Sequence, residues 1–231
     1  KSIITEKEFL KIDTLMKNLI EEEVDYVEEQ ANPDPGSATE HLFSDSTNFD
    51  NNCSIEPKST KDKIVMVDSI NHALSEELAF NDKMLIYGED VAGDKGGVFT
   101  ATRGLTKQFG DERVFNSPLA ESAIVGTAIG LSIVGFKPVV EIQFGDYIWP
   151  AMMQIRNEVA TMRYRSAGNW SCPLVIRVPV GGYIHGSLYH SQSIDGYFAH
   201  TPGLKIAYPS NAADAKGLLK YACRCDDPVI F

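Results

Sequence analysis

Residues 118–135 read Pro-Leu-Ala-Glu-Ser-Ala-Ile-Val-Gly-Thr-Ala-Ile-Gly-Leu-Ser-Ile-Val-Gly, with one carboxylate, Glu121, at the mouth of an almost unbroken apolar run. Gly126, Thr127, Gly130 and Ser132 interrupt the run, and it falls short of the ~20 apolar residues a membrane span needs. It predicts an apolar helix made for burial. A proline and an acid at its start are ordinary helix chemistry, since proline fits the first turn and a negative charge meets the positive end of the macrodipole. A second reading gives Glu121 a chemical task. The residue would stand between the carboxyl end of a strand and an apolar helix, where ligands collect and desolvation raises a carboxyl pKa.

Outward from this segment the chain alternates short β-like runs with longer helical ones. Helices are predicted over residues 67–80, 100–109, 147–165 and 212–223, and strands over 84–88, 113–115, 137–144, 174–178, 205–208 and 229–231. Strands joined by helical crossovers form a parallel sheet covered on both faces. The expected fold is therefore α/β, a three-layer doubly wound parallel sheet, and ligands of such sheets bind beyond the carboxyl ends of the strands.

The front of the chain is different in kind. Phe9, Ile12, Leu15, Met16, Leu19 and Ile20 recur at helical spacing, which predicts an acidic amphipathic helix within residues 1–31. Residues 32–61 are rich in Asn, Asp, Ser and Thr and read as a polar linker with the composition of a disordered segment. The folded domain is expected at 62–231. Of the formal net charge of -11, residues 1–60 carry 14 acids against 5 lysines, leaving 18 acids against 16 bases for the remainder. That near-neutral remainder has no basic stripe for phosphates, so charge gives no footprint for a nucleic-acid partner.

Several chemistries lack their sequence signatures. There is no Gly-x-Gly-x-x-Gly after a strand and no Gly-x-x-x-x-Gly-Lys-Ser/Thr loop, which removes the usual warrant for a dinucleotide or a phosphate loop. Four cysteines without a Cys-x-x-Cys pair point to a reducing compartment rather than a disulfide scaffold. His185, His190 and His200 lack metal-ligand spacing, and no metal ligands are assigned.

The pattern Glu121, four residues, Gly126, Thr127, two residues, Gly130, Leu131 resembles the signature of the pyrimidine-binding domain of thiamine-diphosphate enzymes. It departs from it mildly, in the polar Thr127. The glycine pair also has a packing explanation, because Gly-x-x-x-Gly lets helix backbones approach. Gly88-Glu-Asp-Val, residues 113–121, Glu141-Ile-Gln-Phe-Gly-Asp-Tyr-Ile, Arg163-Tyr-Arg-Ser, Tyr189-His-Ser-Gln-Ser and Phe198-Ala-His-Thr-Pro-Gly-Leu-Lys together resemble the β subunit of a 2-oxo acid dehydrogenase E1 component. Tyr189-His-Ser-Gln-Ser and Phe198-Ala-His lie nearer the branched-chain (2-oxoisovalerate) type than the pyruvate type.

The resemblance implies a role for each candidate. Glu121 would hydrogen-bond a ring nitrogen of the cofactor's aminopyrimidine, favouring the imino tautomer that takes the thiazolium C2 proton. Leu119, Gln143 and Tyr147 would line the same pocket. His190 would orient intermediates and assist proton transfer when the acyl group passes to lipoamide, a task that suits a side chain titrating near working pH. Without the resemblance, His190 reads as a loop histidine and Tyr147 as a half-buried aromatic. His185 is pocket lining at most. Arg163 and Arg165 read either as an anion site for a substrate carboxylate or as a solvated face or subunit salt bridges, the latter preferred.

The implied cofactor is thiamine diphosphate, with Mg2+ held by a partner domain, since the Gly-Asp-Gly motif that binds it in the family is missing. The family's potassium site matches Cys172-Pro-Leu-Val-Ile and Cys223-Arg-Cys-Asp-Asp only imperfectly, lacking an expected threonine and aspartate. Implied partners are an E1 α-type domain, a second β part, the E2 lipoyl acyltransferase and a small 2-oxo acid, in a bacterial cytoplasmic assembly without membrane contact. The fragment alone is expected to be inactive, and the front helix resembles the tail of an E1 α region in an α-β fusion. Transketolase-like or deoxyxylulose-phosphate-synthase-like activity, or a non-catalytic assembly module, are the alternatives.

Overall fold

In the computed structural model the described residues are 3–45 and 63–231. Two compact units divide the chain, Lys1–Thr39 and Glu40–Phe231.

The first unit holds α1, Glu6–Glu28. Its start is a capping box: the Thr5 side chain accepts from the Glu8 backbone N–H at 3.3 Å, and the Glu8 carboxylate accepts from the Thr5 N–H at 2.8 Å. These two reciprocal bonds satisfy donors that an open helix end would leave unpaired. The apolar residues named above are all at least 42% exposed, and α1 buries none of its side chains. A short 3-10 turn, Pro35–Thr39, follows. Most of the expected linker, residues 46–61, lies outside the described residues.

In the second unit, α2 (Met66–Phe80) leads into β1 (Met84–Gly88), and α3 (Leu105–Phe109) into β2 (Val114–Asn116). The apolar run forms α4 (Glu121–Ile133), followed by β3 (Lys137–Glu141), α5 (Met162–Arg165) and β4 (Val175–Arg177). α6 (Asp195–Phe198), β5 (Lys205–Ile206), α7 (Ala212–Arg224) and β6 (Val229–Ile230) complete the order. The six strands are all parallel, in the order β2-β1-β3-β4-β6-β5.

Alternate strand residues enter two separate cores, as the pleat requires. Tyr87, Val140, Ile176 and Ile230 face one core with Ile124 and Val125 of α4. Ile86, Val139, Val175 and Val229 face the other with α2 and α7. Every residue of β1, β3 and β4 is buried, which makes the sheet the middle of three layers. Among the described residues no helix is long and apolar enough to cross a membrane.

Two helices differ from the sequence expectation. The expected helix over 100–109 begins only at Leu105, because Thr100 and Gly104 adopt left-handed φ of 60° and 80°. The expected helix over 147–165 is broken into 3-10 turns at Gly145–Tyr147 and Trp149–Ala151, a π-helix at Gln154–Val159, and α5. Pro150 lies inside the expected helix, where it has no N–H to donate to the carbonyl four residues back and disfavours the α conformation at Trp149, so no regular α-helix runs through this point. The wider π turn is closed by the Ala160 N–H donating to the Ile155 carbonyl at 2.9 Å, five residues back, as this helix type requires.

Candidate functional site

The carboxyl ends of β1, β2, β3 and β4 deliver the candidate residues. β1 ends at Gly88, where an added Cβ would sit 2.4 Å from the Glu141 carbonyl; only glycine lets the ends of β1 and β3 come this close. Next in sequence is Glu89, 5% exposed, with its Oε1 lacking a hydrogen-bond partner. Burial pushes the Glu89 carboxyl up, and the negative charges of Glu121 and Asp90 push it further. Both effects shift Glu89 toward its protonated form beside the acid that opens α4. It is a site residue that sequence reasoning misses, although it lies inside Gly88-Glu-Asp-Val; an acid directly after a wholly buried strand is the available signal.

Glu121 itself is the first residue of α4 and half-buried. Its N-cap, Ala120, provides no side-chain cap, so the positive end of the helix faces the carboxylate and whatever lies beyond it. Thr127, the polar departure in the signature, has a structural use. Its hydroxyl is 2.9 Å from the Tyr87 hydroxyl, which also donates to the Ile124 carbonyl at 3.1 Å. Tyr87 in turn stacks on Phe115, with ring centroids 5.0 Å apart, and burial pushes its phenol up to about 12. The strand beneath Glu121 and the helix behind it are thus joined at this tyrosine. The glycine pair is not explained by packing within the chain: a Cβ at Gly126 would meet only Gln154 Cγ at 3.9 Å, and one at Gly130 nothing within 4 Å.

At the end of β3, Glu141 forms a buried ion pair with Arg177 at the end of β4. A Cβ on Gly97 would lie 2.9 Å from Glu141 Oε1, so the Gly-rich segment after β1 closes over this pair. Beyond β3, Phe144 and Tyr147 meet His190. The Tyr147 hydroxyl is 3.1 Å from His190 Nε2, and His190 Nδ1 is 3.2 Å from the Gly186 carbonyl. Phe144 packs edge-on to the imidazole at 4.4 Å between centroids. His190 arrives on a loop whose ends are tied at a neck: the Gly181 N–H donates to the Gln192 carbonyl at 3.0 Å, and the Gln192 N–H to Asp146 Oδ2 at 3.3 Å. A cavity of about 460 Å³ lies beside this cluster, walled by Phe144, Arg177, Val180, Ile194 and His190.

The sequence-derived residues therefore fall into two groups. Tyr147 and His190 share a hydrogen bond, and Glu121 has Glu89 as its electrostatic neighbour. Both groups rest on one core, since Tyr147 packs against the cluster that contains Ile124 and Val125. Leu119 is 83% exposed and Gln143 half-buried. Leu119, Gln143 and Tyr147 are absent from the walls of the 460 Å³ cavity, where His190 is the one expected residue present. His185 is exposed. Arg163 pairs with Asp227 at 3.4 Å and Arg165 with Glu158 at 2.5 Å, both within the chain, which leaves the two guanidiniums engaged rather than open to an anion. Among the described residues no three His, Cys, Asp or Glu side chains converge to hold a metal.

Residues 62–231 match the family model described as transketolase, pyrimidine binding domain. The chain belongs to this family. Within the pyrimidine-binding family it is similar to the 2-oxoisovalerate dehydrogenase subunit beta of Bacillus subtilis (strain 168), with 56% identity over 165 residues, covering 71% of this chain and 50% of that protein. It is also similar to the pyruvate dehydrogenase E1 component subunit beta of the same organism, with 48% identity over 169 residues, covering 73% of this chain and 52% of that one. Among solved structures a split gene transketolase, described as an inactive beta4 tetramer, shares the fold of this pyrimidine-binding domain. It superposes with a TM-score of 0.56 at 26% identity, covering 73% of this chain and 51% of the other. The chain spans about half the length of the two bacterial relatives.

Proposed function

We propose that this pyrimidine-binding domain supplies half of the active site of a thiamine-diphosphate-dependent 2-oxo acid dehydrogenase E1, with Glu121 as the residue that grips the cofactor's aminopyrimidine. The observation that carries this reading is the placement of Glu121 at an uncapped helix start beside Glu89, whose Oε1 has no partner. An acid at the rim, a second acid held toward its protonated form and the exposed apolar Leu119 suit a flat heterocycle with nitrogen on one edge. The donor set fits that part of the cofactor. It does not fit a diphosphate and its Mg2+, which we assign to an E1 α-type partner.

When bound, thiamine diphosphate supplies the electron sink for decarboxylating a 2-oxo acid. This chain's own contribution is to hold and orient. Glu121 fixes the proton at the pyrimidine edge, and the low dielectric around buried Glu89 strengthens that hydrogen bond. Leu119 and Tyr147 offer apolar surface to the ring, and Gln143 an amide at its polar edge. His190 handles the proton exchanged when the acyl group passes to the lipoamide of an E2 acyltransferase. The branched-chain type is preferred, supported by the higher identity to the 2-oxoisovalerate relative. We assign the helix α1 to the tail of an E1 α region and the exposed glycine face of α4 to contact with a second β part. As half a site, the chain on its own carries no decarboxylase activity.

Replacing Glu121 by Ala in the complete enzyme tests the reading. Decarboxylation of 2-oxo acid should fall by roughly 10²-fold or more, the usual weight of a positioned acid-base group, with circular dichroism and thermal unfolding unaltered. Turnover at the parent rate would refute it.

A further inference from the structure

The contacts of His190 determine more than its position. The Gly186 carbonyl can only accept, so Nδ1, at 3.2 Å, carries the hydrogen of the neutral ring. Nε2 is then the basic nitrogen, and the Tyr147 hydroxyl at 3.1 Å donates to it. Edge contacts from Phe144 and Tyr147, 4.4 and 5.6 Å between centroids and close to perpendicular, hold the ring plane. The backbone is shaped around the same arrangement. His185 and Ser187 adopt left-handed φ of 56° and 64°, a conformation costly for residues with a Cβ. Between them a Cβ on Gly186 would come within 2.4 Å of His190 Cβ.

We infer that Tyr147 and Gly186 are positioning residues for His190, fixing its neutral ring in the Nδ1–H tautomer so that Nε2 alone faces the reaction as a base. Tyr147 then has a second task besides offering a ring to the cofactor: its hydroxyl caps Nε2 until a reacting group takes its place. The inference rests on the assignment of His190 to acyl transfer made above. Tyrosine is suited to the task because its hydroxyl both donates to a neutral nitrogen and accepts from a protonated one, so the pair stays joined through a proton exchange.

Nitrogen-15 NMR of the imidazole in the 231-residue chain, at a pH where the ring is neutral, reads the tautomer directly. The parent chain should show Nδ1–H alone, and Tyr147→Phe a mixture of both forms. Gly186→Ala, which crowds His190, should show the same loss of a single form. Nε2–H in the parent, or an unchanged single tautomer in both variants, would overturn the inference. In the complete assembly Tyr147→Phe should slow acyl transfer to lipoamide about 10-fold more than it slows decarboxylation followed with an artificial electron acceptor. Equal losses in the two steps would assign Tyr147 to cofactor packing only and overturn its positioning role. His190→Ala separates the two levels. If that variant transfers acyl groups at the parent rate, the functional assignment of His190 fails; if it is impaired while Tyr147→Phe is not, only the positioning role fails.

Discussion

Lys137, the first residue of β3, is 6% exposed, and its ammonium donates to the Cys225 carbonyl at 2.7 Å. Burial pulls its pKa down from 10.5 to about 8, against the pull of the nearby Cys223, Cys225, Asp226 and Cys172. Between pH 8 and 10.5 the unfolded lysine is still protonated while the folded one is not, so unfolding takes up a proton and stability rises with pH through that window. The thiols of Cys172 and Cys223, raised by burial from 9.0 to about 12, act in the opposite direction above pH 9, where only the unfolded thiols ionise. Urea unfolding of the parent and of Lys137→Met across this range reads the lysine together with its coupling to Cys172 and Cys223, whose thiols its charge lowers. The parent should gain about 3 kcal/mol relative to the variant by pH 10.5. A difference that does not vary with pH would show that the amine is not desolvated.

At the scale of elements, Glu141 and Arg177 join the ends of β3 and β4, 2% and 5% exposed. Two buried charges hold each other in place at the edge where the site is built, and removing one leaves the other stranded. Arg177→Met should destabilise the domain by about 3–5 kcal/mol, measured by urea unfolding. Glu141→Gln added to it should recover a large part of the loss; a double variant as unstable as the single would remove the ion pair as the cause. The elements differ in how readable they are. β1 is clear from its sequence because burial on both faces demands a continuous apolar run, and α4 because its apolar stretch follows a helix-start signal; β3 is read from its Val139-Val140 centre, although its two ends are the charged Lys137 and Glu141. The break at Pro150 is written in the sequence but outweighed by the helical spacing around it. The π turn at Gln154–Val159 has no local signature in the sequence. Of the candidate site residues, Glu121 and His190 are singled out in the sequence by the spacing and motifs that carry the resemblance. The Tyr147–His190 bond and the exposure of Leu119 are not, because loop geometry decides both and loops have no period.

For the molecule as a whole, the open face of α4 is the feature that looks beyond the chain. Gly130 is exposed, with nothing within 4 Å of an added Cβ, and Val134 close by is 68% exposed. A Cβ at Gly130 meets nothing inside this fold, and exchanging glycine for leucine there gains about 0.8 kcal/mol of helix propensity. Under the proposed pairing of β parts, the same substitution fills the space into which a second helix backbone would come. Gly130→Leu should unfold at or slightly above the parent temperature when the chain is dilute and single, yet weaken association in sedimentation of the complete assembly by about 10-fold or more. Full assembly by this variant would place the contact elsewhere.

The tied neck of the loop over residues 181–192 has a consequence for how such a protein diversifies. Because the loop is tied at the Gly181–Gln192 bond and by Gln192 to Asp146, the loop residues other than Gly186 and His190 can be exchanged without disturbing the strands that carry it. Glu121 sits on a helix embedded in the core and shares none of that latitude. Under the proposed function, drift in the loop would alter the acyl-transfer step while leaving the contact of Glu121 with the cofactor unchanged.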